Sequence, residues 1–300
     1  MTAADRTIAV DWGTSRFRAS WLAADGSDEG FVDRPEGIAQ VPSREAFPDV
    51  LGRLCRPWLD DPRTGRIVIS GMAGSRNGWF EVPYVACPTA LSGLRPVAAP
   101  FTMEGRPVAF VPGLSAATAD GAFEVMRGEE TLIAGAAGVD EEALVCLPGT
   151  HSKWADWSRG TIRSFVTFMT GEVHGLCMTH GLIGRLAAEP HAQGAFARGL
   201  DHARTPGGLL HHVFRARTEA LAGRIAGTEV AGYLSGLLVG AEIEGLRALL
   251  PGDRPVVLVS SGILAEAYAT AFAARGVAFR SVDAHAAFLA GQRTIVGQGP

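Results

Sequence analysis

The spacing of apolar and polar residues at the start of the chain predicts a sheet covered by a helix. Residues 8–12 form an apolar run, and residues 17–22 alternate well enough to pair back onto it through a Gly-Thr-Ser turn, so we expect a hairpin. Residues 30–34 predict a third strand of the same meander. Ser43 is suited to cap a helix whose apolar residues recur at helical spacing, and residues 66–70 predict a buried strand.

A long segment without periodicity follows that strand. Residues 71–88 contain glycines, prolines and an Arg-Asn pair, which predicts a long ordered loop. Loops of this length inside compact domains are usually functional. Residues 108–111 predict a short strand, and the small residues of 112–128 predict a link between two halves. We therefore expect one domain at residues 1–115 and a second at residues 116–300.

The second half begins with a helix and then repeats the strand, turn and strand of the first half. Residues 129–137 predict a helix with two acids in its first turn, which suits the helix dipole. Helical spacing dominates residues 182–250, where three glycines at intervals of four would allow close helix packing. The predicted strands are residues 144–147, 154–157, 161–169, 256–260 and 278–282, with a turn at 149–153 and further helices from Ala265 and Ala284. This order of elements predicts an α/β protein.

Two segments of the chain resemble each other at a constant offset. Residues 8–21 laid over residues 144–157 align a Gly-Thr turn in each, flanked by predicted strands. The matched pairs are Gly13 with Gly149, Thr14 with Thr150, Ala19 with Ala155 and Trp21 with Trp157. A Gly-Thr turn presents consecutive backbone N–H groups and a hydroxyl, which can hold a phosphate oxygen without basic side chains. We therefore predict a structural duplication whose two turns hold one polyphosphate.

Composition narrows the class of protein. The chain has 300 residues, 47% of them hydrophobic, and 27 basic against 31 acidic residues, so disorder is excluded and about two domains are expected. Only 19% of residues are charged, with no block of like charges, which argues against a protein that binds nucleic acid through a basic field. Lys153 is the only lysine among the 27 basic residues.

Targeting and cofactor signatures are missing from the sequence. The four cysteines have no C-x-x-C spacing, so neither a disulfide scaffold nor a zinc site is expected. The first residues lack a leader pattern, and no apolar run reaches the roughly 18 residues of a membrane helix. We expect a cytoplasmic protein without membrane partners. The P-loop, the G-x-G-x-x-G turn and the G-x-S-x-G elbow are also missing.

Several strings resemble a known family. The strand ending in Asp11 before Gly-Thr-Ser, with a second Gly-Thr hairpin midway, is similar to the sugar kinase, Hsp70 and actin superfamily, which implies two duplicated ribonuclease H-like domains with an ATP cleft between them. The strings GMAGSRNGW (71–79), MRGEET (126–131), LPGTHSKW (147–154) and TFMTGE (167–172) resemble the 2-dehydro-3-deoxygalactonokinase family. The resemblance implies transfer of the ATP γ-phosphate to the 6-hydroxyl of 2-dehydro-3-deoxy-D-galactonate, in D-galactonate catabolism.

The resemblance assigns nucleotide-binding roles along both halves. Asp11 would orient water around a Mg²⁺ bound to the phosphates of ATP. The backbone of the two Gly-Thr turns would hold those phosphates, and a Ser-Ser-Gly turn near the C-terminus would approach the adenosine. The predicted nucleotide-binding residues are Asp11, Gly13, Thr14, Ser15, Gly149, Thr150, His151, Ser152, Ser261 and Gly262.

Two residues are candidates for catalysis. Glu129, at the start of a predicted helix, is placed like the catalytic base of glycerol-kinase-type enzymes and would accept the proton of the sugar hydroxyl. Glu130 and Asp120 are rivals for this role, and an acid that merely complements the helix dipole is the simpler interpretation. Lys153 ends the second Gly-Thr turn, where a compact positive charge could reach phosphate.

The substrate candidates are polar residues in loops and at strand ends. Arg76 and Asn77 lie in the glycine-rich loop, and a guanidinium recognises a carboxylate through two parallel hydrogen bonds. Arg16 could neutralise phosphate or reach the substrate, and Glu172 could hold sugar hydroxyls or cap the following helix. Each of these four residues could also be an ordinary surface or capping residue.

Two other functions stay open at this point. The first is a kinase of a neutral sugar or another sugar acid on the same fold. The second is an actin-like or chaperone-like ATPase switch, which would need an extra domain or a filament surface for which 300 residues leave little room. The stereochemistry of the substrate and the oligomeric state, with a homodimer as one option, are not fixed by the sequence.

Overall fold

The computed structural model describes residues 5–118, 121–250 and 254–297. The chain divides into two compact units, neither of which is continuous in sequence. The first unit contains residues up to 141, the hairpin 157–164 and the segment from 284 onward. The second unit contains residues 142–156 and 165–283. The expectation of one domain at residues 1–115 and a second at residues 116–300 stays a prediction.

The first unit is built on a six-stranded sheet. Its elements are β1 (Arg6–Trp12), β2 (Phe17–Leu22), β3 (Asp28–Arg34), α1 (Phe47–Leu54), α2 (Arg56–Leu59), β4 (Thr64–Ser70), β5 (Val85–Ala86), β6 (Thr89–Ala90), β7 (Val97–Met103) and β8 (Arg106–Phe110). The sheet order is β3-β2-β1-β4-β8-β7. Strands β1 and β2 are antiparallel, as the predicted hairpin requires. Strand β4 is parallel to β1, and Asp11 pairs in register with Ser70, so both strands deliver their last residues to the same edge.

The segment predicted as a plain link has structure of its own. It contains β9 (Leu114–Ala117) and β10 (Phe123–Met126), which form a small sheet in the order β10-β9-β5. The sequence pattern predicts a link over residues 112–128 but neither of these two strands. These strands are only four residues long, and β9 consists mostly of small side chains, so their pattern carries little strand signal. The helix α3 (Glu129–Ala136) follows directly.

The core of the first unit is aromatic. Trp12 is fully buried and makes edge contacts with Phe17, with ring centroids 5.0 Å apart, and with Phe47 at 4.9 Å. These rings join the first hairpin to α1, as the amphipathic pattern of that helix predicted. These contacts hold Trp12, the last residue of β1, in place, and Asp11 directly precedes Trp12.

The second unit repeats the order of the first. Its elements are β11 (Glu142–Leu147), β12 (Ser152–Ser158), β13 (Thr161–Phe168), α4 (Thr170–Thr179), α5 (Phe196–His202), α6 (Gly208–Leu221), α7 (Val230–Leu249), β14 (Val256–Val259), α8 (Gly262–Ala274) and β15 (Phe279–Val282), and the chain then returns to the first unit with α9 (Ala284–Val296). The sheet runs β15-β14-β11-β12-β13-β6, in which the short strand β6 pairs with residues 161–162 of β13. When the strands of each sheet are numbered from its first strand in the chain (β1 or β11), four neighbouring strands lie in the order 3-2-1-4 in both sheets, counting β4 and β14 as the fourth. In both sheets the fourth strand is parallel to the first. The predicted duplication is therefore confirmed.

Glycines allow close helix packing within both units. A Cβ built on Gly236 of α7 would lie 2.0 Å from the carbonyl oxygen of Phe196 in α5, so the prediction that the α7 glycines permit close contact is confirmed. In the first unit, a Cβ on Gly135 of α3 would lie 2.0 Å from Ala287 O, and one on Gly291 of α9 would lie 1.9 Å from Thr131 O. Helix α9 therefore fixes the position of α3.

Within the described residues, no helix is long and apolar enough to cross a membrane.

Candidate active site

Asp11 is the centre of the candidate site in the first unit. Its carboxylate Oδ2 accepts a hydrogen bond of 2.6 Å from Nη2 of Arg18 on the neighbouring strand, and its side chain is only 13% exposed. Burial raises the pKa of Asp11, and the positive charge of Arg18 opposes that shift. A partly buried carboxylate paired in this way has a fixed orientation.

Two glycines from other elements lie beside the second oxygen of Asp11. Gly71 follows β4, and a Cβ there would lie 2.9 Å from Asp11 Oδ1. Gly128 precedes α3, and a Cβ there would lie 3.6 Å from the same oxygen and 3.3 Å from the Cα of Gly71. Both glycines have positive φ, 85° and 109°, which L side chains rarely adopt. The structure thus brings together the ends of β1 and β4 and the start of α3.

The two acids that begin α3 differ in environment. Glu129 is partly exposed, and its Oε2 accepts a 3.0 Å hydrogen bond from the backbone N–H of Arg127. Glu130 is fully buried, and its Oε2 accepts a 2.7 Å bond from the N–H of Gly128. Burial, and then the negative charge of Glu129, raises the pKa of Glu130 to about 8. Glu130 is therefore mostly protonated at neutral pH, and Glu129 is the more accessible of the two acids. The third rival, Asp120, lies outside the described residues.

The first Gly-Thr turn is held by its backbone and exposes its side chains. The N–H of Gly13 donates to Arg16 O at 2.9 Å, and the N–H of Ile38 donates to Gly13 O at 2.9 Å. Thr14 and Ser15 are exposed. Arg16 is also exposed and binds both carboxylate oxygens of Asp33, at 2.6 and 3.0 Å. The turn is therefore rigid and accessible, and its predicted contact with phosphate stays a prediction.

The second turn is packed against the start of α4 in the second unit. The N–H of Glu172 donates to Thr150 O at 2.9 Å, and a Cβ on Gly171 would lie 2.4 Å from Gly149 O. Glu172 Oε2 lies 2.5 Å from Nε2 of the exposed His151. The structure thus joins Glu172, predicted as a substrate residue, to His151, predicted as a phosphate-turn residue.

The end of the predicted turn at 149–153 needs correction, because Ser152 and Lys153 already belong to β12. The Ser152 side chain is fully buried, and its hydroxyl donates a 2.8 Å bond to Oε1 of Glu242, so that hydroxyl faces the interior. Lys153 is 6% exposed, and its Nζ donates to Thr167 Oγ1 at 2.9 Å. The predicted roles of both residues toward phosphate stay predictions.

Sequence reasoning missed Glu242, which organises the strand that carries the second turn. This buried carboxylate on α7 accepts hydrogen bonds from Ser152 Oγ at 2.8 Å, from Trp154 Nε1 at 2.7 Å and from Tyr268 Oη at 2.7 Å. The Thr170 hydroxyl, at the start of α4, also donates to it. Burial raises the pKa of Glu242, and these four hydrogen bonds lower it. The only sequence signal was an acid within the apolar run of α7.

The remaining predicted residues lie on other parts of the two units. Ser261 donates a 2.6 Å bond to Asp283 Oδ2, and Gly262 begins α8 with φ of 62°. In the first unit, Arg76 and Asn77 are exposed, and Nε of Arg76 lies 3.5 Å from Oε1 of Glu81. The predicted roles of both pairs stay predictions.

The repeated sheets give the chain the duplicated two-domain fold that the sequence resemblance implied. It shares this fold with the activator of 2-hydroxyisocaproyl-CoA dehydratase from Clostridium difficile, solved with bound ADPNP, at a TM-score of 0.53 and 11% identity over 98% of this chain and 95% of that one. The chain belongs to the 2-keto-3-deoxy-galactonokinase family, which it matches over residues 11–295. The resemblance seen in the sequence strings is thereby confirmed.

Two relatives cover nearly the whole chain. The 2-dehydro-3-deoxygalactonokinase of Escherichia coli is 33% identical over 97% of each chain. A crystal structure from Sinorhizobium meliloti, provisionally named as a 2-dehydro-3-deoxygalactonokinase, has a TM-score of 0.87 and 34% identity over 97% of this chain and 98% of that one. The likeness therefore includes both compact units.

Proposed function

We propose that this protein phosphorylates 2-dehydro-3-deoxy-D-galactonate at its 6-hydroxyl, using ATP, in the breakdown of D-galactonate. Family membership over residues 11–295 is the observation that carries this proposal. The geometry supports it, because a partly buried, oriented carboxylate at Asp11 lies beside Gly128, which precedes the acid-bearing helix α3. Phosphoryl transfer needs such positioned charges more than it needs covalent chemistry.

The residues around Asp11 suit a Mg²⁺ ion that binds together with ATP. Oδ1 is flanked by Gly71 and Gly128, where any side chain would fill the space beside it. Within the described residues, no group of three metal-ligating side chains is present, and Mg²⁺ bound to nucleotide keeps most of its ligands as water and phosphate oxygens. Asp11 would hold it through water, and the ion would neutralise charge on the phosphates.

The two Gly-Thr turns would hold the phosphates of ATP. Gly13, Thr14 and Ser15 offer an exposed turn with a fixed backbone, and Gly149 and Thr150 offer a second. His151 and the backbone of Ser152 would extend the second turn, Lys153 would supply a positive charge, and Ser261 and Gly262 would receive the adenosine. Backbone N–H groups presented in this way bind anions without basic side chains.

Glu129 would act as the general base. It stands at the N-terminus of α3 beside the Asp11 site, and it is more exposed than Glu130. Its carboxylate would accept the proton of the sugar hydroxyl as that oxygen attacks phosphorus. Arg16, Arg76, Asn77 and Glu172 are kept as proposed substrate contacts. A cytoplasmic location stays a prediction.

The test is a phosphorylation assay with matched acceptors. The purified protein is given ATP and Mg²⁺ with 2-dehydro-3-deoxy-D-galactonate, its gluconate-series epimer, or a neutral ketose or hexose, and the product is mapped by phosphorus NMR. We expect phosphate on O6 of the galactonate-derived acid. Preference for a neutral sugar would establish the alternative kinase, and ATP hydrolysis that no acceptor changes would favour an ATPase switch.

A further inference from the structure

Arg127 is a buried cation that forms no ion pair with any residue the structure describes. It follows β10 and precedes Gly128, and it is 7% exposed. Its Nη2 donates a 2.7 Å hydrogen bond to the carbonyl oxygen of Val82, and its guanidinium lies 4.5 Å from the centroid of the Tyr84 ring. Its Nε and Nη1 have no hydrogen-bond partner among the described residues. No described carboxylate lies within salt-bridge distance of it.

This arrangement is costly unless something else binds there. A guanidinium has five N–H donors, and the described structure uses one nitrogen of three. A buried donor left unsatisfied costs about 1–3 kcal/mol, and more when it is charged. Buried arginines in proteins are normally paired with carboxylates. The unused donors of Arg127 therefore point to an anionic ligand.

A second unpartnered group lies in the loop that covers Arg127. The hydroxyl of Ser75 is buried and has no hydrogen-bond partner among the described residues. The preceding residue, Gly74, packs on the guanidinium, since a Cβ there would lie 3.1 Å from Arg127 Nη1. The loop over residues 71–88 thus brings a hydroxyl donor and a guanidinium into one small region of the first unit.

We propose that Arg127, assisted by the Ser75 hydroxyl, binds the carboxylate of the sugar-acid substrate. This inference rests on the proposed function and makes it more specific. A guanidinium and a hydroxyl together can donate hydrogen bonds to a 2-oxo carboxylate, whose oxygen atoms accept several such bonds. Arg127 is also two residues before Glu129, so the group that binds the acid end and the proposed base lie on one short segment next to Asp11.

The geometry favours Arg127 over Arg76 for this task. The Arg76 side chain is 86% exposed and lies near Glu81, so water screens its charge and a carboxylate already competes for it. Arg127 is shielded from water, and an ionic hydrogen bond is worth more there. A neutral sugar would leave Arg127 unpaired, so the site would bind a neutral sugar more weakly than a sugar acid.

The experiment compares Arg127→Lys and Ser75→Ala with wild type. Calorimetry measures binding of 2-dehydro-3-deoxy-D-galactonate and of its uncharged amide, with and without a non-hydrolysable ATP analogue. The matched control is Arg106→Lys, because Arg106 is also packed and donates to backbone carbonyls, at Thr64 O and Leu59 O, away from the loop. Thermal unfolding of every variant shows whether the fold is retained.

We expect Arg127→Lys to weaken binding of the acid by about 10- to 100-fold, the loss typical of ionic hydrogen bonds, and Ser75→Ala to weaken it by a smaller factor. Binding of the amide should change little, and Arg106→Lys should bind the acid like wild type. Equal affinity of Arg127→Lys and wild type for the acid, or no binding of the acid to wild type, would overturn the inference. Binding that depends on Arg127 without phosphorylation would instead overturn the proposed function alone.

Discussion

Gly128 packs against the carboxylate of Asp11. A Cβ built on Gly128 would lie 3.6 Å from Asp11 Oδ1, although the two residues are 117 positions apart in the sequence. Gly71 lies between the same elements, 3.3 Å from that Cβ position. The start of α3 is therefore seated on the end of the first strand, and any side chain at Gly128 would change the distance between Glu129 and Asp11.

Replacing Gly128 with alanine should reduce turnover beyond its effect on stability. The φ of 109° at Gly128 costs an L residue about 1–2 kcal/mol, and the added Cβ crowds the Gly71 backbone. The matched control is Gly105→Ala, since Gly105 has φ of 79° with no atom within 4 Å of its Cβ position. Both variants should lose stability in urea unfolding, Gly128→Ala by more because of the added crowding, and only Gly128→Ala should lose kcat. Equal kcat in the two variants would contradict the role of this contact.

We propose that the Asp11 carboxylate orients Mg²⁺-bound water, so replacing Asp11 with asparagine should lower kcat by at least about 100-fold. The same change breaks the ion pair with Arg18. Arg18→Gln breaks this pair too but keeps the Asp11 carboxylate, so it measures the structural share of the effect. Steady-state kinetics over a range of Mg²⁺ concentrations should show a much larger defect in Asp11→Asn. Similar defects in both variants would assign Asp11 a structural role only.

The fold was largely predictable because the sheets follow strong local patterns. The hairpin of β1 and β2 has an apolar run, a Gly-Thr-Ser turn and an alternating strand, and each of these signals is local. The repeat of this pattern at residue 144 predicted the duplication. Strands β9 and β10 were not predicted because strands of four residues are too short to show a clear periodicity.

The site was less predictable because its contacts are distant in sequence. The Gly-Thr turns and Asp11 could be found from local motifs and family resemblance. The buried state of Ser152 depends on Glu242, 90 residues later, and the environment of Arg127 depends on Val82 and Tyr84, more than 40 residues earlier. No local sequence pattern indicates contacts between residues so far apart, so these contacts and their effect on stability can be seen only in the folded structure.

Glu129→Gln should lower kcat by about 100-fold or more with little change in affinity for ATP, because general-base catalysis contributes about 10²- to 10⁴-fold. Glu130→Gln is the matched variant one residue along the same helix turn. Its buried carboxyl, with a pKa of about 8, is mostly protonated at pH 7, so an amide replaces it with little loss. Single-turnover kinetics at pH 7 would distinguish the two acids. A larger loss in Glu130→Gln would transfer the role of base to Glu130.

Glu242→Gln should destabilise the protein by more than Tyr268→Phe does. Four donors point at the Glu242 carboxylate, and an amide nitrogen in place of Oε2 would face the hydroxyls of Tyr268 and Thr170. Tyr268→Phe removes one of these hydrogen bonds, at a cost of about 1 kcal/mol. Urea unfolding should show a loss of about 2–4 kcal/mol for Glu242→Gln. A loss no larger than that of Tyr268→Phe would mean that the network relaxes around the amide.

The raised pKa of Glu130 should make the folded protein less stable as pH rises. An ordinary glutamate titrates near 4.5, whereas Glu130 keeps its proton in the folded state up to about pH 8. Between these values the native state binds one more proton than the unfolded state, so the free energy of unfolding falls as pH rises, by a few kcal/mol in total. Glu130→Gln removes this titration while its amide oxygen can still accept the N–H of Gly128. In urea unfolding, the variant should therefore be as stable as wild type near pH 5 and more stable than wild type near pH 8.5. At the higher pH, wild type has lost the stability that the bound proton supplied, whereas the variant has no group that titrates at this position. Parallel stability curves for the two proteins over this range would show that Glu130 titrates normally.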